Sequence, residues 1–65
     1  MDPTQEDRRA ASLLLRKLGS AAQDRAARWA KERFARGDVE GWALWSRVHK
    51  AIDELRYGRG RPLPR

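Results

Sequence analysis

The side chains of this sequence that come nearest to a catalytic or metal-binding set are one histidine and a carboxylate one helical turn later. His49 is the only histidine, and Asp53 follows it by four residues. A lone His–Asp pair is a weak metal ligand set, and no cysteine is present to extend it. Ser12, Ser20 and Ser46 have no base placed to activate them. The sequence therefore predicts a protein that is not an enzyme and that uses no cofactor, metal or small-molecule substrate.

The tryptophans are candidates for a different kind of chemistry, the binding of another protein. Trp42 and Trp45 share one helical face, and Trp29 lies on the preceding helix. In one interpretation they fill a small core, each indole burying about 150 to 250 Å². In the other, one indole stays on the surface and anchors a second chain, because Trp is enriched at interface hot spots. The candidate partner-binding residues are Trp42, Trp45 and Trp29.

Basic residues provide a third candidate site. The formal net charge is +6, and the excess lies in residues 20–37, with five basic and two acidic side chains, and in residues 58–65, with three arginines and no acid. A basic surface attracts polyanions such as nucleic acid. A solvated basic face is the alternative, because arginine outnumbers lysine 12 to 3, a bias that a GC-rich coding sequence also produces. In the middle segment the candidate nucleic-acid contacts are Arg28 and Lys31.

A helix-turn-helix around Gly37 is disfavoured by the residue types. Such a unit needs a small residue four positions before the turn glycine, where this chain has Arg33. The segment that would enter the major groove, residues 38–57, carries four acidic and three basic side chains. The sequence therefore favours another arrangement of the two helices.

Glycines divide the chain into three predicted helices. The first covers about residues 4–18. It begins either with Asp2 as the cap and Pro3 at the first helical position, or with Thr4 as the cap and Asp7 three residues later.

The second predicted helix covers about residues 21–36 and begins with a capping box formed by Ser20 and Gln23. The next glycine ends it, and Asp38 caps a third helix over about residues 39–57. Because both links are so short, neighbouring helices should fold back as hairpins.

About a dozen large apolar side chains are candidates for the core of this domain of 65 residues, which leaves its stability marginal. A domain of this size buries only about 60% of the surface that its unfolded chain exposes. No cysteine is present to form a disulfide, so self-association is the expected source of further burial. The core candidates are Leu14, Leu15, Leu18, Trp29, Phe34, Val39, Trp42, Leu44, Trp45, Val48, Ile52 and Leu55.

The layout of residues 20–55 resembles that of a group of short, uncharacterised bacterial helical proteins. The pattern is an Ala-rich helix, a Gly-Asp turn and a Trp-bearing helix that continues as an apolar stripe. The resemblance implies the helical fold and no particular activity or ligand. The residues that carry it are Ala35–Asp38, Gly41–Trp45, Val48, Ile52 and Leu55.

The basic tail resembles a second known pattern. The segment Gly58–Pro62 looks like the Arg-Gly-Arg-Pro core of an AT-hook. In that motif the glycine lets the backbone lie in an A·T-rich minor groove while the arginines reach along its floor. The resemblance implies DNA contacts by Arg59 and Arg61, with Arg65 as a further basic residue. The alternative is a solvated or partner-docking tail, which its Arg-, Gly- and Pro-rich composition predicts to be disordered.

Together these patterns predict an all-α fold, a small three-helix bundle over residues 1–57 followed by a flexible basic tail over residues 58–65. The predicted function is a self-associating helical module that docks a protein partner through the Trp-bearing helix. The alternative is a small DNA-associated protein that binds through its middle helix and tail. Apolar runs such as Leu13–Leu15 are too short for a signal peptide or a spanning helix, so we expect no membrane insertion and a cytoplasmic location.

Overall fold

Three helices make up most of the chain that the computed structural model describes, residues 2–57. They are α1 (Gln5–Leu18), α2 (Ala21–Ala35) and α3 (Val39–Tyr57). Each helix packs on the other two, and α2 and α3 make the most extensive contact. The predicted all-α three-helix bundle is confirmed.

The start of α1 is the one at Thr4, the second of the two predicted possibilities. The Asp7 backbone N–H donates to the Thr4 hydroxyl at 3.1 Å, and the Thr4 N–H donates to the Asp7 carboxylate at 2.8 Å. This reciprocal pair is a capping box.

The box predicted at Ser20 and Gln23 is wrong. Ser20 has helical φ and ψ of −65° and −16° and makes no side-chain cap, because a capping residue needs extended backbone angles.

The turn between α2 and α3 follows the prediction. Gly37 has a φ of 80°, a conformation that glycine adopts without strain. The Gly37 N–H donates to the Phe34 carbonyl at 3.0 Å, and the Asp38 N–H donates to the Arg33 carbonyl at 2.9 Å. These two bonds form a Schellman motif, which ends α2. The Asp38 carboxylate then accepts from the Gly41 N–H at 2.9 Å and so caps α3.

We expect this turn to be sensitive to two substitutions. Asp38→Ala should lower the free energy of unfolding by about 0.5 to 2 kcal/mol through loss of the cap. Gly37→Val should cost more, because a β-branched residue is strained at a φ of 80°. Urea unfolding measures both effects, and Glu40→Ala, which removes an acid of the same turn that makes no cap, is the control. Unchanged stability in both variants would place the helix break elsewhere.

The buried core is small and consists mostly of alanine. Ile52 and Val48 are its largest fully buried side chains. Leu14, Leu15 and Leu18 of α1 pack against it and remain partly exposed. Within the described residues the buried apolar set is Ala11, Ala22, Ala26, Ala30, Val48, Ala51 and Ile52, together with Pro3 ahead of α1. The core prediction is wrong for four side chains that are 40% or more exposed, namely Phe34, Val39, Leu44 and Leu55.

Contacts at both ends show that α2 and α3 form an antiparallel hairpin. Near the turn, the rings of Phe34 and Trp42 lie 5.6 Å apart between centroids. At the far end, Gln23 Nε2 donates to Asp53 Oδ1 at 3.2 Å. The helices therefore lie side by side, whereas the helices of a helix-turn-helix cross at about 90–120°.

Candidate protein-interaction surface

Two stripes of residues, one on α2 and one on α3, meet along one side of this hairpin. Both stripes have the spacing i, i+4, i+7 and i+11, which keeps each stripe on one face of its helix. The Phe34–Trp42 contact joins them near the turn, and the Gln23–Asp53 hydrogen bond joins them at the far end. We call this side the seam face, and it consists of Gln23, Ala27, Ala30, Phe34, Trp42, Ser46, His49 and Asp53.

The N-terminal region and α1 pack on another side of α3. Their ion pairs reach α3 at Arg47, Lys50 and Glu54, and none of these residues belongs to the seam face. The seam face is therefore accessible in the single chain. Phe34 is 62% exposed, and Ala30 is the one member of the face that is buried.

The end of the seam face next to the turn is apolar and exposed. Val39 is 61% exposed and precedes Trp42 by three residues, so the two side chains are neighbours on α3. Trp42 is half-buried, and its ring is tilted by 56° against that of Phe34. We call Phe34 and Trp42 of the seam face, together with the adjacent Val39, the aromatic end. Covering apolar surface of this kind contributes about 25 cal/mol per Å² to binding.

The three tryptophans predicted to bind a partner divide into a contacting pair, Trp29 and Trp45, and a separate residue, Trp42. Trp45 packs against the buried core, and its ring centroid lies 4.6 Å from that of Trp29. Arg25 lies over the Trp29 ring at 5.9 Å, a cation–π contact that occupies one ring face. Trp42 is the tryptophan that lies in the aromatic end. Of the three candidates, Trp42 is therefore the one placed among exposed apolar neighbours.

A buried ion pair, not anticipated from the sequence, fixes α1 on α3. Asp7 is 3% exposed, and its Oδ2 accepts from Arg47 Nε at 2.8 Å. Burial raises the pKa of Asp7, but the Thr4 backbone N–H, the Arg47 guanidinium and the Thr4 hydroxyl outweigh burial and lower the pKa below 3.8. The sequence indicated only the Thr4–Asp7 cap. The ion pair could not be foreseen, because Arg47 is 40 residues from Asp7.

Basic side chains without an acidic partner are concentrated on α1 and α2. On α3, each basic side chain has an acidic or polar partner. Arg28 and Lys31, the predicted nucleic-acid contacts of α2, are exposed and make no ion pair. Arg59, Arg61 and Arg65, with the AT-hook-like tail, lie outside the described residues. Between residues 2 and 57, the basic side chains without an ion pair on α1, on α2 and at its C-cap are Arg9, Arg16, Lys17, Arg25, Arg28, Lys31 and Arg36.

The two side chains that the sequence offered for catalysis, His49 and Asp53, both lie on the seam face. His49 is half-buried on the seam face, and Asp53 is hydrogen-bonded to Gln23. Across residues 2–57, no three His, Cys, Asp or Glu side chains are placed to hold a metal ion. No helix in that range combines the length and the apolar character needed to cross a bilayer.

No protein-family model matches the chain, and no curated protein or solved structure is significantly similar to it. The resemblances to short bacterial helical proteins and to an AT-hook therefore remain predictions. The fold defines the class, a small three-helix bundle, and the function has to be inferred from the seam face and from the charged side chains.

Proposed function

We propose that this chain is a non-enzymatic helical interaction module and that a protein partner docks on the aromatic end of its seam face. The observation that carries the proposal is the exposure of Phe34 and Val39, 62% and 61%, beside Trp42 on a side that α1 does not cover. Single exposed apolar side chains are common, but a contiguous group of them marks an interaction site. The aromatic end is such a group.

The aromatic end has the composition of an interface hot spot. Trp42 already has one stable neighbour in the ring of Phe34, so little further ordering is needed when a partner covers it. Trp is the residue type most enriched at hot spots. Full burial of a large apolar side chain such as Phe34 contributes about 1.5 to 3 kcal/mol. A patch of this size therefore supports a reversible complex of moderate affinity.

A photo-reactive amino acid at position 39 tests the proposal in cells that make the protein. Val39 is exposed and lies outside the core, so its replacement should preserve the fold. We expect a covalent adduct with a protein, and we expect Trp42→Ala in the same chain to remove most of it. The matched control places the same amino acid at position 28, an exposed position of α2 away from the seam face. No adduct from position 39 would contradict the proposal.

The second candidate function is nucleic-acid binding through α2 and the basic tail. It is favoured by the basic side chains without ion pairs on α1 and α2, which include Arg28 and Lys31. Such side chains bind phosphate groups in a salt-dependent manner. In the cross-linking experiment, a nucleic-acid adduct from position 28 without a protein adduct from position 39 would favour this alternative.

A further inference from the structure

We propose that the partner at the seam face is a second copy of this chain, related to the first by a two-fold axis. The inference rests on the proposed function, because it names the partner of the same surface. In the dimer, the aromatic end of each copy packs over the small pair Ala30 and Ser46 of the other, where Ala30 is already buried and Ser46 is half-buried.

The core of the single chain is the first reason to expect a second copy. Its buried apolar residues are five alanines, Val48 and Ile52. Domains this small commonly need disulfides, a metal or oligomerisation for stability, and this sequence has no cysteine. Phe34 and Val39 are the most exposed large apolar side chains among residues 2–57. A second copy is present wherever the chain is, and it carries the same need for burial.

The shape of the seam face is the second reason. Behind the aromatic end, the next pair of residues on the two helices is Ala30 and Ser46, whose side chains are small. In a two-fold interface the same patch serves both copies, so each contact occurs twice. With the axis between the aromatic end and this small pair, Phe34 lies above the partner's Ala30, which is already buried in the single chain, and Trp42 lies on the partner's half-buried Ser46. Large side chains then meet small ones in both halves of the interface.

The size of the overlap limits the strength of the dimer. About ten residues of each helix overlap, which gives a footprint of about 15 Å by about 20 Å. Such a footprint belongs to small, reversible interfaces, which bury less than about 1,200 Å² in total. The polar end, where Gln23 binds both Asp53 and Arg56, stays outside the overlap and keeps its hydration. We therefore expect a dimer that dissociates on dilution through the micromolar range.

Sedimentation equilibrium of the full chain between about 1 µM and about 500 µM tests the dimer. We expect Phe34→Ala and Ser46→Arg each to raise its dissociation constant by about tenfold or more. Ser46→Arg leaves the aromatic end unchanged, so its effect reports the contact with the small pair. Leu13→Ala and Ser12→Arg, at exposed positions of α1, are the matched controls and should have no effect.

Circular dichroism at the lowest concentration verifies that each variant folds. If Ser46→Arg does not fold, Phe34→Ala alone decides the test. A single-chain mass at every concentration overturns the dimer, and so does a dimer that Phe34→Ala and Ser46→Arg leave unchanged. The position-39 adduct separates the two proposals. An adduct of two copies supports the dimer. An adduct with a different protein, together with a monomer in sedimentation, overturns the dimer and leaves the interaction module standing, whereas no adduct overturns both.

Discussion

Ile52→Ala is expected to lower the free energy of unfolding by about 3 to 4 kcal/mol, the largest effect of any substitution considered for this protein. Ile52 is fully buried, and among residues 2–57 only Val48 is a comparably large buried side chain. The change removes buried methyl and methylene groups and leaves a cavity in a core whose buried residues are mostly alanine, with the partly buried leucines of α1 and Trp45 packed around it. Small domains have little stability to lose, so we expect a substantial unfolded population in urea unfolding followed by circular dichroism.

The matched control for Ile52→Ala is Leu55→Ala in the same helix. Leu55 is 50% exposed, so its truncation should cost about 1 kcal/mol or less. Both variants are compared with the parent at one fixed concentration, because the proposed self-association would add to the apparent stability. Equal losses for Ile52→Ala and Leu55→Ala would show that the buried core is not centred on Ile52.

The helix ends could be predicted because they depend on residues close in sequence. Asp38 caps α3 directly after the positive φ of Gly37, as the Gly-Asp pair indicated. Ser20 has the right residue type for a cap but fails, because the chain leaves Gly19 at a φ of 60° and a ψ of −134° and enters Ser20 in a helical conformation. The residue types therefore located the turn. The backbone angles decided whether the Ser20 hydroxyl could cap α2.

Burial could not be predicted from spacing alone. Phe34 and Val39 occur at helical spacing with core residues, yet both remain exposed. Spacing identifies one face of a helix, but burial also requires another helix opposite that face. The 14 residues of α1 are too few to cover the 19 residues of α3, and the ion pairs of the N-terminal region reach α3 only between Arg47 and Glu54. The half of the hairpin next to the turn is therefore left without a third helix.

The seam face depends on pairings between distant residues. Gln23 and Asp53, which join its two stripes at one end, are 30 residues apart. Its polar members, such as Ser46 and His49, interrupt the apolar pattern that would mark an interface in a sequence. The sequence identified Trp42 as one of three candidate anchors. The packing of the helices was needed to distinguish it from Trp29 and Trp45.

Asp7→Ala is expected to lower the free energy of unfolding by about 3 kcal/mol at neutral pH. The substitution removes a cap of α1, worth about 1 kcal/mol. It also removes the buried carboxylate that accepts from Arg47 at 2.8 Å and so holds α1 on α3. Arg47 is 27% exposed and regains some water, which keeps the loss below that of a fully buried pair. Glu6→Ala, an exposed acid of the same turn, is the control and should change stability by less than about 1 kcal/mol.

The pH dependence of the same pair gives an independent test through Asp7→Asn. Because the pKa of Asp7 in the folded chain lies below its usual value of 3.8, the carboxylate stabilises the fold fully above 3.8. That contribution is lost as the pH falls through the lowered pKa, since the folded carboxylate then becomes protonated. The stability difference between the parent and Asp7→Asn should therefore be large at neutral pH and shrink as the pH falls below 3.8 in urea unfolding. A difference that stays constant over this range would show that the charge of Asp7 does not stabilise the packing of α1 on α3.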